Sequence, residues 1–393
     1  MTSLLSEITI DGATLEGGGQ VLRTVLSLSF LSKLPIRIHS IRAGRSKPGF
    51  ASQHLVGARL CAMLTNRSLS GDELGSQEVV AQTFSVEDNS YPLSTELYAK
   101  STTSGATTLI LQAALPPLLF CTDGFTELVL IGATDGNFAP PVAYTELVLA
   151  PLLKRMGVCL ELQLKQRAFV PNLGELRVRA RLLNRMINPI ELTCRGALVT
   201  IYVFITASTE GGNAADFMGT CIEQLLKASH AIEGAHITLD VEKPINVNIK
   251  KKPRTHTQLS VQIVATTDTG VLLSVNRLFN TTVVVDEEKL KKEAYSMIRE
   301  LEELLASGAC ACEHTCDQLI IYMALANGRS RLAAPVAVTS QHLETVIHFA
   351  SMMTGARFHI DELIHGTAHR IIDCDGVGII YANIDEDKLI KNK

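Results

Sequence analysis

The residues best placed to do chemistry in this chain begin with a glycine run near the N-terminus. The stretch Asp11–Arg23 (DGATLEGGGQVLR) puts Gly17–Gly19 between a predicted strand and a predicted helix. Open backbone N–H groups at a helix N-terminus bind anions such as phosphate. Glu16 has the wrong charge for a phosphate but the right charge for a divalent ion that bridges to one. No GK[ST] follows, so this is not a Walker A loop. A tight turn that needs positive φ is the alternative interpretation.

A second stretch, Ile41–His54 (IRAGRSKPGFASQH), concentrates positive charge. Arg42, Arg45 and Lys47 lie within six residues, on a loop that contains two glycines and a proline. Guanidinium groups bind phosphate through charge-assisted hydrogen bonds. The stretch therefore suits the recognition of a polyanion, and a solvated surface loop is the alternative interpretation.

A third cluster, CACEHTC at residues 310–316, brings three thiols and one imidazole together. These groups could bind zinc, but their spacing is not that of a common zinc module and no second C-x-x-C pair completes one. Reduced cysteines near a helix start are the favoured interpretation. Nine cysteines without a regular framework indicate a reducing compartment.

Helical and strand patterns alternate around these stretches, as judged from the spacing of apolar residues. The predicted helices are Gln20–Ser32, Ser52–Leu64, Val142–Met156, Ala214–Ala231, Glu287–Leu305 and His342–Met353. The predicted strands are Ile8–Ile10, Pro35–Ile41, Leu128–Ile131, Leu198–Ala207, His236–Val241 and Leu259–Ala265. This mixture predicts an α/β or α+β fold.

The pattern of predicted strands and helices changes near residue 185, which indicates a second domain. A βαββ pattern of roughly 90–100 residues lies there between two halves of similar texture, which predicts an inserted domain. The basic run Lys250–Arg254 within it suggests an exposed loop or a short nuclear signal. No internal repeat is legible in the residues themselves.

Composition excludes several classes of protein. The 393 residues carry 36 Lys and Arg against 40 Asp and Glu, and 46% are hydrophobic. A disordered chain and a polybasic nucleic-acid tail are therefore excluded. The most apolar stretch, Thr107–Cys121, is too short to span a membrane and contains two prolines, so it is a buried strand or helix segment. Residues 1–10 lack the features of a secretory signal. We expect a soluble protein of two or three domains.

The two N-terminal motifs, EGGGQVLR and IRAGRSKPGFASQHL, together resemble the signature of the RNA 3′-terminal phosphate cyclase family. Further stretches agree with it in the same order along nearly the whole chain, in wording closer to eukaryotic members. They are LQAALP at residues 111–116, GATDGNFAP at 132–140, DQLIIYMALANGRSR at 317–331, HLETVIHFA at 342–350 and IIDCDGVG at 371–378.

The resemblance implies a fold and an activity. The fold is a large domain of repeated units, each a four-stranded sheet with two helices, formed by residues 1–184 and 286–393. A smaller α/β domain, residues 185–285, is inserted in it. The activity is that of a ligase-type nucleotidyl-transfer enzyme, which converts an RNA 3′-phosphate to a 2′,3′-cyclic phosphodiester. It uses ATP and a divalent metal, magnesium or manganese, and passes through a covalent histidine–AMP and an RNA–adenylate.

The resemblance also assigns roles to residues. His342 matches the adenylated histidine, a residue type whose imidazole offers a lone pair near pH 7. Glu16 is assigned to the metal. The positions assigned to the nucleotide are Gln20, Gln112, Pro140, His314, Asp317 and Gln318, and those assigned to the RNA are Arg23, Arg42, Arg45 and Gln53.

The chain departs from the family pattern in four places. His314 stands where a tyrosine is usual, and an imidazole stacks on adenine with less area. A glycine triplet usual in the family is reduced to one glycine at residues 171–175, and glycines usual in the family are missing at 85–94 and 246–254. Because glycines are lost where backbones approach a ligand or turn sharply, these changes bear on RNA contacts more than on the nucleotide.

Two rival functions remain open at this point. One is a non-catalytic cyclase-like protein that acts in ribosomal RNA processing and ribosome assembly, from which His342 separates this chain. The other is a small-molecule transferase whose arginine loop binds a phosphorylated metabolite. The expected partners are RNA 3′-phosphate ends and ATP, with no membrane and no obligatory protein partner. The expected location is the nucleoplasm, with cytoplasmic residence also compatible.

Overall fold

The computed structural model describes residues 7–82, 96–102, 105–121, 126–208, 212–242, 257–281, 286–336, 340–361 and 368–380. Its first unit is a four-stranded sheet with two helices. The elements are β1 (Ile8–Asp11), α1 (Gly19–Ser32), β2 (Ile36–His39), α2 (Ser52–Thr65), β3 (Leu69–Ser70) and β4 (Val79–Ala81). The strand order is β1-β2-β4-β3. The first two strands are parallel and the other pairs antiparallel.

The second unit repeats this arrangement. Its elements are β5 (Glu96–Lys100), α3 (Thr107–Cys121), β6 (Glu127–Gly132), α4 (Val142–Tyr144), a π-helical segment (Thr145–Leu149), α5 (Ala150–Arg155), β7 (Val158–Gln166) and β8 (Gly174–Leu182). The strand order is β5-β6-β8-β7, again with the first pair parallel and the others antiparallel.

A third unit begins with β9 (Glu191–Leu192) and is then interrupted by a sheet of a different topology. The interrupting elements are β10 (Leu198–Ala207), α6 (Gly212–Ala228), a 3-10 turn (His230–Ile232), β11 (His236–Glu242), β12 (Thr257–Thr267), β13 (Leu272–Thr281) and α7 (Glu287–Ala306). The strand order is β11-β10-β12-β13. Helix α7 lies beyond the predicted domain boundary at residue 285 and packs on α6 and β13.

The third unit then resumes with α8 (Glu313–Leu325), β14 (Arg329–Pro335), α9 (Gln341–Thr354), β15 (Arg357–Ile360) and β16 (His369–Asp375). Strand β14 is parallel to β9 and antiparallel to β16, which pairs with β15. Three units of the chain therefore share one topology, and the fourth sheet is inserted between a strand and the helix that follows it. The predicted mixed fold of four-stranded units with an insertion is confirmed.

The units meet through their helices. Helix α1 packs against α2, α3 and α9, and α8 packs against α9. The residues of α1 from Gln20 to Phe30 are buried all round the helix, as are those of α8 from Gln318 to Leu325. A helix that is surrounded in this way buries its polar side chains together with its apolar ones. In α1 the buried polar residues Gln20, Arg23, Thr24 and Ser27 recur at helical spacing. No helix of the described residues is long and apolar enough to cross a membrane.

Most predicted elements are confirmed, and two are refined. The segment Thr107–Cys121, which the sequence left as strand or helix, is helical despite Pro116 and Pro117. The predicted helix Ala214–Ala231 ends at Ala228, where a 3-10 turn follows. The predictions for residues 85–94 and 246–254, the latter including the basic run, lie outside the described residues.

The basic loop after β2 is held by backbone hydrogen bonds to the loop before β4. Phe50 N donates to Ser76 O, and Gly75 N donates to Phe50 O. Gly49 has φ +80, and a Cβ placed on it would lie 2.1 Å from Gly75 O. The carbonyl of Gly49 also accepts a hydrogen bond from Arg42 Nη1 at 2.8 Å. A glycine is therefore required where the arginine loop meets its neighbour.

This geometry predicts that Gly49→Ala is destabilising, while Gly44→Ala in the same loop is tolerated. A Cβ at Gly44 meets no atom of the described structure within 4 Å. Backbone strain of this kind costs about 1–3 kcal/mol, and the clash with a carbonyl adds to it. Thermal melts of the two variants test the prediction. Equal melting temperatures for both would show that the loop is not fixed in this conformation.

Candidate functional site

The glycine run at the start of α1 lets charged side chains lie directly against the backbone. Gly17 has φ +58, which confirms the tight turn. A Cβ on Gly18 would lie 2.1 Å from Glu16 Oε1 and 2.6 Å from Arg45 Nη2. A Cβ on Gly19 would lie 2.5 Å from His54 Nε2. Any larger residue at these positions would displace the charged groups that surround the helix N-terminus.

Glu16 and Arg45 form the ion pair at this point. Arg45 Nη2 lies 2.5 Å from Glu16 Oε1 and also donates to the Glu16 carbonyl at 3.1 Å. The Glu16 side chain is only 8% exposed, while that of Arg45 is 46% exposed. Glu16 Oε2 is buried and has no hydrogen-bond partner among the described residues. One oxygen of a buried carboxylate is therefore available for a ligand.

Arg23 lies one turn into α1 and is buried. Its Nη2 donates to Gln20 Oε1 at 2.8 Å, and Gln20 Nε2 lies 3.3 Å from Thr24 Oγ1. Burial lowers the pKa of the guanidinium to about 10, and the carboxylates of Glu16 and Asp317 oppose that shift. The group remains charged at neutral pH because its pKa is still well above 7. The site thus holds a desolvated cation, which attracts an anion more strongly than a solvated one does.

Asp317 supplies the second carboxyl near Arg23, from the first turns of α8. Burial raises its pKa to about 7, the charge of Arg23 opposes this shift, and the charge of Glu313 adds to it. Its Oδ1 is buried without a hydrogen-bond partner in the described structure. A carboxyl with these properties changes its charge near neutral pH.

The sequence alone did not decide whether His54 belongs to the site. Its ring lies against Gly19 and is buried. Burial lowers its pKa to about 3, and the positive charges of Arg23 and Arg42 lower it further in the same direction. The imidazole is therefore neutral and can offer a lone pair. The available signal was its place beside Gln53 at the start of a helix that follows the arginine loop.

Arg42, the other arginine of this loop, is held by a hydrogen bond to the backbone of the loop. Arg42 has φ +52 and is half-buried, and its Nη1 bonds the Gly49 carbonyl. Burial lowers the pKa of its guanidinium, and the neighbouring charge of Arg45 acts in the same direction. Lys47, further along the loop, is exposed. The predicted polyanion loop thus directs Arg45 at the glycine run and leaves Lys47 in solvent.

Two further predicted site residues, Gln53 and Pro140, accept hydrogen bonds from residues at the start of α3. Gln53 Oε1 accepts a hydrogen bond from Ala106 N at 3.1 Å. Thr108 Oγ1 donates to the Pro140 carbonyl at 2.7 Å. Gln112 and Gln318 line a small crevice between α3 and α8. The predicted nucleotide positions Gln112, Pro140 and Gln318 are therefore grouped around one end of α3.

His342 lies in the first turn of α9 and is exposed. The side chain of Ser340 caps this helix by accepting a hydrogen bond from Leu343 N at 3.3 Å. The turn is tied to the glycine run because Glu16 N donates to Thr345 Oγ1 at 3.1 Å. The structure thus brings the predicted nucleophile and the predicted metal ligand to adjoining helix N-termini, although they are 326 positions apart in sequence.

His314, at the start of α8, faces His342. Burial lowers the pKa of His314, Glu313 opposes the shift, and the charge of His342 lowers the pKa further. Its ring meets that of Tyr144 edge-on, with 5.6 Å between the centroids. It also borders a cleft of about 530 Å³ between β13, α7 and the end of β14. A cleft of that volume can hold a nucleoside.

The cysteines near α8 lie in the protein interior. Cys310, Cys312 and Cys316 are buried. The described part of the chain contains no group of three or more His, Cys, Asp or Glu residues that could hold a metal ion. Cys312 Sγ instead lies 3.2 Å from both Ser274 Oγ and Thr315 Oγ1. These thiols pack the base of α8.

The raised pKa of Asp317 predicts a pH-dependent cost of folding that Asp317→Asn should remove. The unfolded carboxyl ionises near 3.8 and the folded one near 7. Wild-type stability therefore falls as the pH rises through this interval, by at most about 1.4 kcal/mol per pH unit. The stability of Asp317→Asn relative to wild type should rise between pH 5 and pH 7 and become constant above pH 7.

Urea unfolding of both proteins at pH 5, 6, 7 and 8 measures this difference. Asp373→Asn is the control. Arg329 lowers the pKa of the Asp373 carboxyl, so this group is ionised above pH 5 in the folded and in the unfolded protein. Its stability relative to wild type should be constant over the same range. A constant difference for Asp317→Asn as well would contradict a titration of Asp317 in this interval.

The family model for RNA 3′-terminal phosphate cyclase matches residues 14–360. A probable RNA 3′-terminal phosphate cyclase of Dictyostelium discoideum is 30% identical over 390 residues, which cover 96% of this chain and 85% of the relative. An RNA 3′-terminal phosphate cyclase of Drosophila melanogaster is 32% identical over 373 residues, which cover 94% of this chain and 97% of the relative. These matches confirm the resemblance seen in the sequence: the chain belongs to the RNA 3′-terminal phosphate cyclase family.

Proposed function

We propose that this protein uses ATP to convert an RNA 3′-terminal phosphate to a 2′,3′-cyclic phosphodiester, with His342 as the nucleophile. The observation that carries the proposal is the meeting of two helix N-termini, those of α1 and α9, with an exposed imidazole on one and a buried charge cluster on the other. Positive helix ends and arginines favour phosphate groups. The family relationship supplies the reaction class.

The reaction proceeds in three displacements on phosphorus. A lone pair of the His342 imidazole attacks the α-phosphorus of ATP, a bond from nitrogen to phosphorus forms, and pyrophosphate leaves. An oxygen of the RNA 3′-phosphate then attacks the same phosphorus and displaces His342, which gives an RNA–adenylate. The vicinal 2′-hydroxyl finally attacks the RNA phosphorus, loses its proton, and expels AMP. Adenylation is needed because an oxide ion is a poor leaving group and AMP is a good one.

The cations of the site stabilise the negative charge of these steps. Arg23 is desolvated beside the first turn of α1, and Arg45 lies half in solvent against Gly18. We assign Arg45 and Arg42 to the RNA phosphate, since their loop reaches the site from the exposed side. Arg23, which is deeper, would act on the phosphoryl oxygens where charge increases in the transition state.

A divalent ion, magnesium or manganese, fits at Glu16. The unpartnered buried Oε2 is an anionic oxygen ligand of the kind these ions prefer. No cluster of three such side chains surrounds it among the described residues. Phosphate oxygens and water would complete the ligand set, as is usual for Mg²⁺ sites. When bound, the ion would neutralise charge on the ATP phosphates.

We assign the adenosine of ATP to the surroundings of His314. Gln112, Pro140 and Gln318 are grouped at the start of α3. Asp317 directly precedes Gln318 and lies one turn after His314 in α8. The ring of His314 meets that of Tyr144 in a T-shaped contact and borders the cleft of about 530 Å³. An imidazole offers less stacking area than the tyrosine usual at this position, so we expect weaker binding of adenine.

The proposal predicts that His342→Ala abolishes covalent labelling of the protein by ATP labelled at its α-phosphate. The expected bond is a phosphoramidate, which is labile to acid and stable to alkali. Because His342 is exposed in the first turn of α9, its loss should change the melting temperature little. His348→Ala on the same helix is the control, since that side chain is also exposed and packs against the Phe349 ring. Label that persists in His342→Ala, or that is stable to acid and labile to alkali, would refute the assignment.

The proposal also predicts that Glu16→Gln raises the divalent-ion concentration needed for half-maximal labelling. An amide oxygen is a weaker ligand than a carboxylate because it carries no charge. We expect a rise of about tenfold, which corresponds to roughly 1.4 kcal/mol. Glu344→Gln, an exposed change in the first turn of α9, is the control. A Glu16→Gln protein that melts lower but keeps the wild-type metal dependence would show that Glu16 only supports the turn.

A further inference from the structure

One buried hydroxyl connects the glycine run to the helix that carries His342. Thr345 Oγ1 accepts a hydrogen bond from Glu16 N at 3.1 Å and donates one to the Gln341 carbonyl at 2.6 Å. Thr345 is fully buried. Gln341 immediately precedes His342, and Glu16 immediately precedes the glycines. A single oxygen atom is therefore bonded to the backbone on both sides of the site.

The hydrogen bond to Gln341 has a local explanation, and the bond from Glu16 does not. Threonine hydroxyls in helices often donate to the carbonyl four residues earlier. Acceptance from a backbone N–H that is 329 residues away in sequence requires the two units to meet at this atom. The loop around Glu16 is a turn with Leu15 at φ 54 and Gly17 at φ 58. A turn in this uncommon conformation persists only when its surroundings hold it.

Glu16 is held at three points in the described structure. Arg45 binds its Oε1 and its carbonyl, and Thr345 binds its N–H. Arg45 approaches from the exposed loop after β2, which is separate from the helix that carries His342. Thr345 belongs to the packed helix α9. The bond from Thr345 is therefore the contact that fixes Glu16 relative to His342.

We propose that Thr345 is a positioning residue that sets the separation between the Glu16 carboxylate and the His342 imidazole. This inference rests on the proposed function, in which His342 carries AMP and Glu16 holds the divalent ion. Thr345 touches neither reactant. Its hydroxyl must act as acceptor and donor together, which serine can do and valine, of nearly the same shape, cannot.

The helix itself provides a matched control. Thr354 Oγ1 donates to the Ala350 carbonyl at 2.6 Å and accepts from Ala356 N at 3.1 Å, in the last turn of α9. Its two hydrogen bonds have the same types and lengths as those of Thr345. Both of its partners are local, however. Thr354→Val therefore removes two equivalent hydrogen bonds and leaves the contact between α9 and the glycine run intact.

The test compares Thr345→Val, Thr345→Ser and Thr354→Val in the full chain. Initial rates of labelling by α-labelled ATP should fall by roughly 10- to 100-fold in Thr345→Val, because displacement of about 1 Å can cost that much. The Mn²⁺ concentration for half-maximal labelling should rise. Thr345→Ser should restore the rate to within about threefold of wild type, and Thr354→Val should stay in that range even if it melts lower.

A second readout does not depend on ATP or metal. Amide hydrogen exchange in a peptide that covers residues 11–22 should be faster in Thr345→Val than in wild type, and unchanged in Thr345→Ser and Thr354→Val. Thr345→Ala, which lacks the hydroxyl and adds no bulk, replaces Thr345→Val if that protein does not fold.

Three results would overturn the inference. They are wild-type labelling and exchange in Thr345→Val, equal losses in Thr354→Val, and failure of Thr345→Ser to restore the rate. A wild-type protein that takes no label, or a His342→Ala protein that keeps it, would overturn the proposed function instead, and with it the catalytic part of this inference. Faster exchange at residues 11–22 would then still locate the structural link.

Discussion

At the N-terminus of α1, the Glu16 carboxylate and the Arg45 guanidinium lie 2.5 Å apart against the backbone of Gly18, and the carboxylate is almost fully removed from water. Burial of a charge is costly unless an opposite charge and hydrogen bonds compensate it. Here the charge compensation comes from Arg45 in the loop after β2 and from Arg23 within α1, while Thr345 of α9 binds the backbone N–H of the same residue. The site can form only where these segments meet.

The repeated topology explains why they meet. Each of the three like units passes from a strand into a helix, and the helices of different units pack on one another. The site residues lie on the early turns of α1, α2, α3, α8 and α9 and on the loop that precedes α2. Helix N-termini have unpaired N–H groups and a positive dipole end. Their grouping favours an anionic ligand before any side chain is considered, and the arginines strengthen that preference.

Local patterns predicted much of this structure. Apolar spacing predicts the helices Gln20–Ser32 and His342–Met353. Their observed ends differ from the predicted ends by no more than one residue. The segment Thr107–Cys121, which forms α3, gave no choice between strand and helix because it is almost continuously apolar, and such a run has no polar positions from which to read a period. The common topology of the three units was invisible in the residues because different side chains fill equivalent places.

The sequence by itself determined the types of group at the site, the glycine run that admits them, and the motifs that identify the family. Those features are local: a turn needs its glycine and a phosphate site needs its cations, wherever the chain goes. Only the tertiary structure decided that Glu16 pairs with Arg45 through one oxygen and keeps the other unpartnered among the described residues, that His54 is neutral, and that Asp317 titrates near neutral pH. These properties depend on desolvation and on charges brought from distant segments, and neither is set until the units pack.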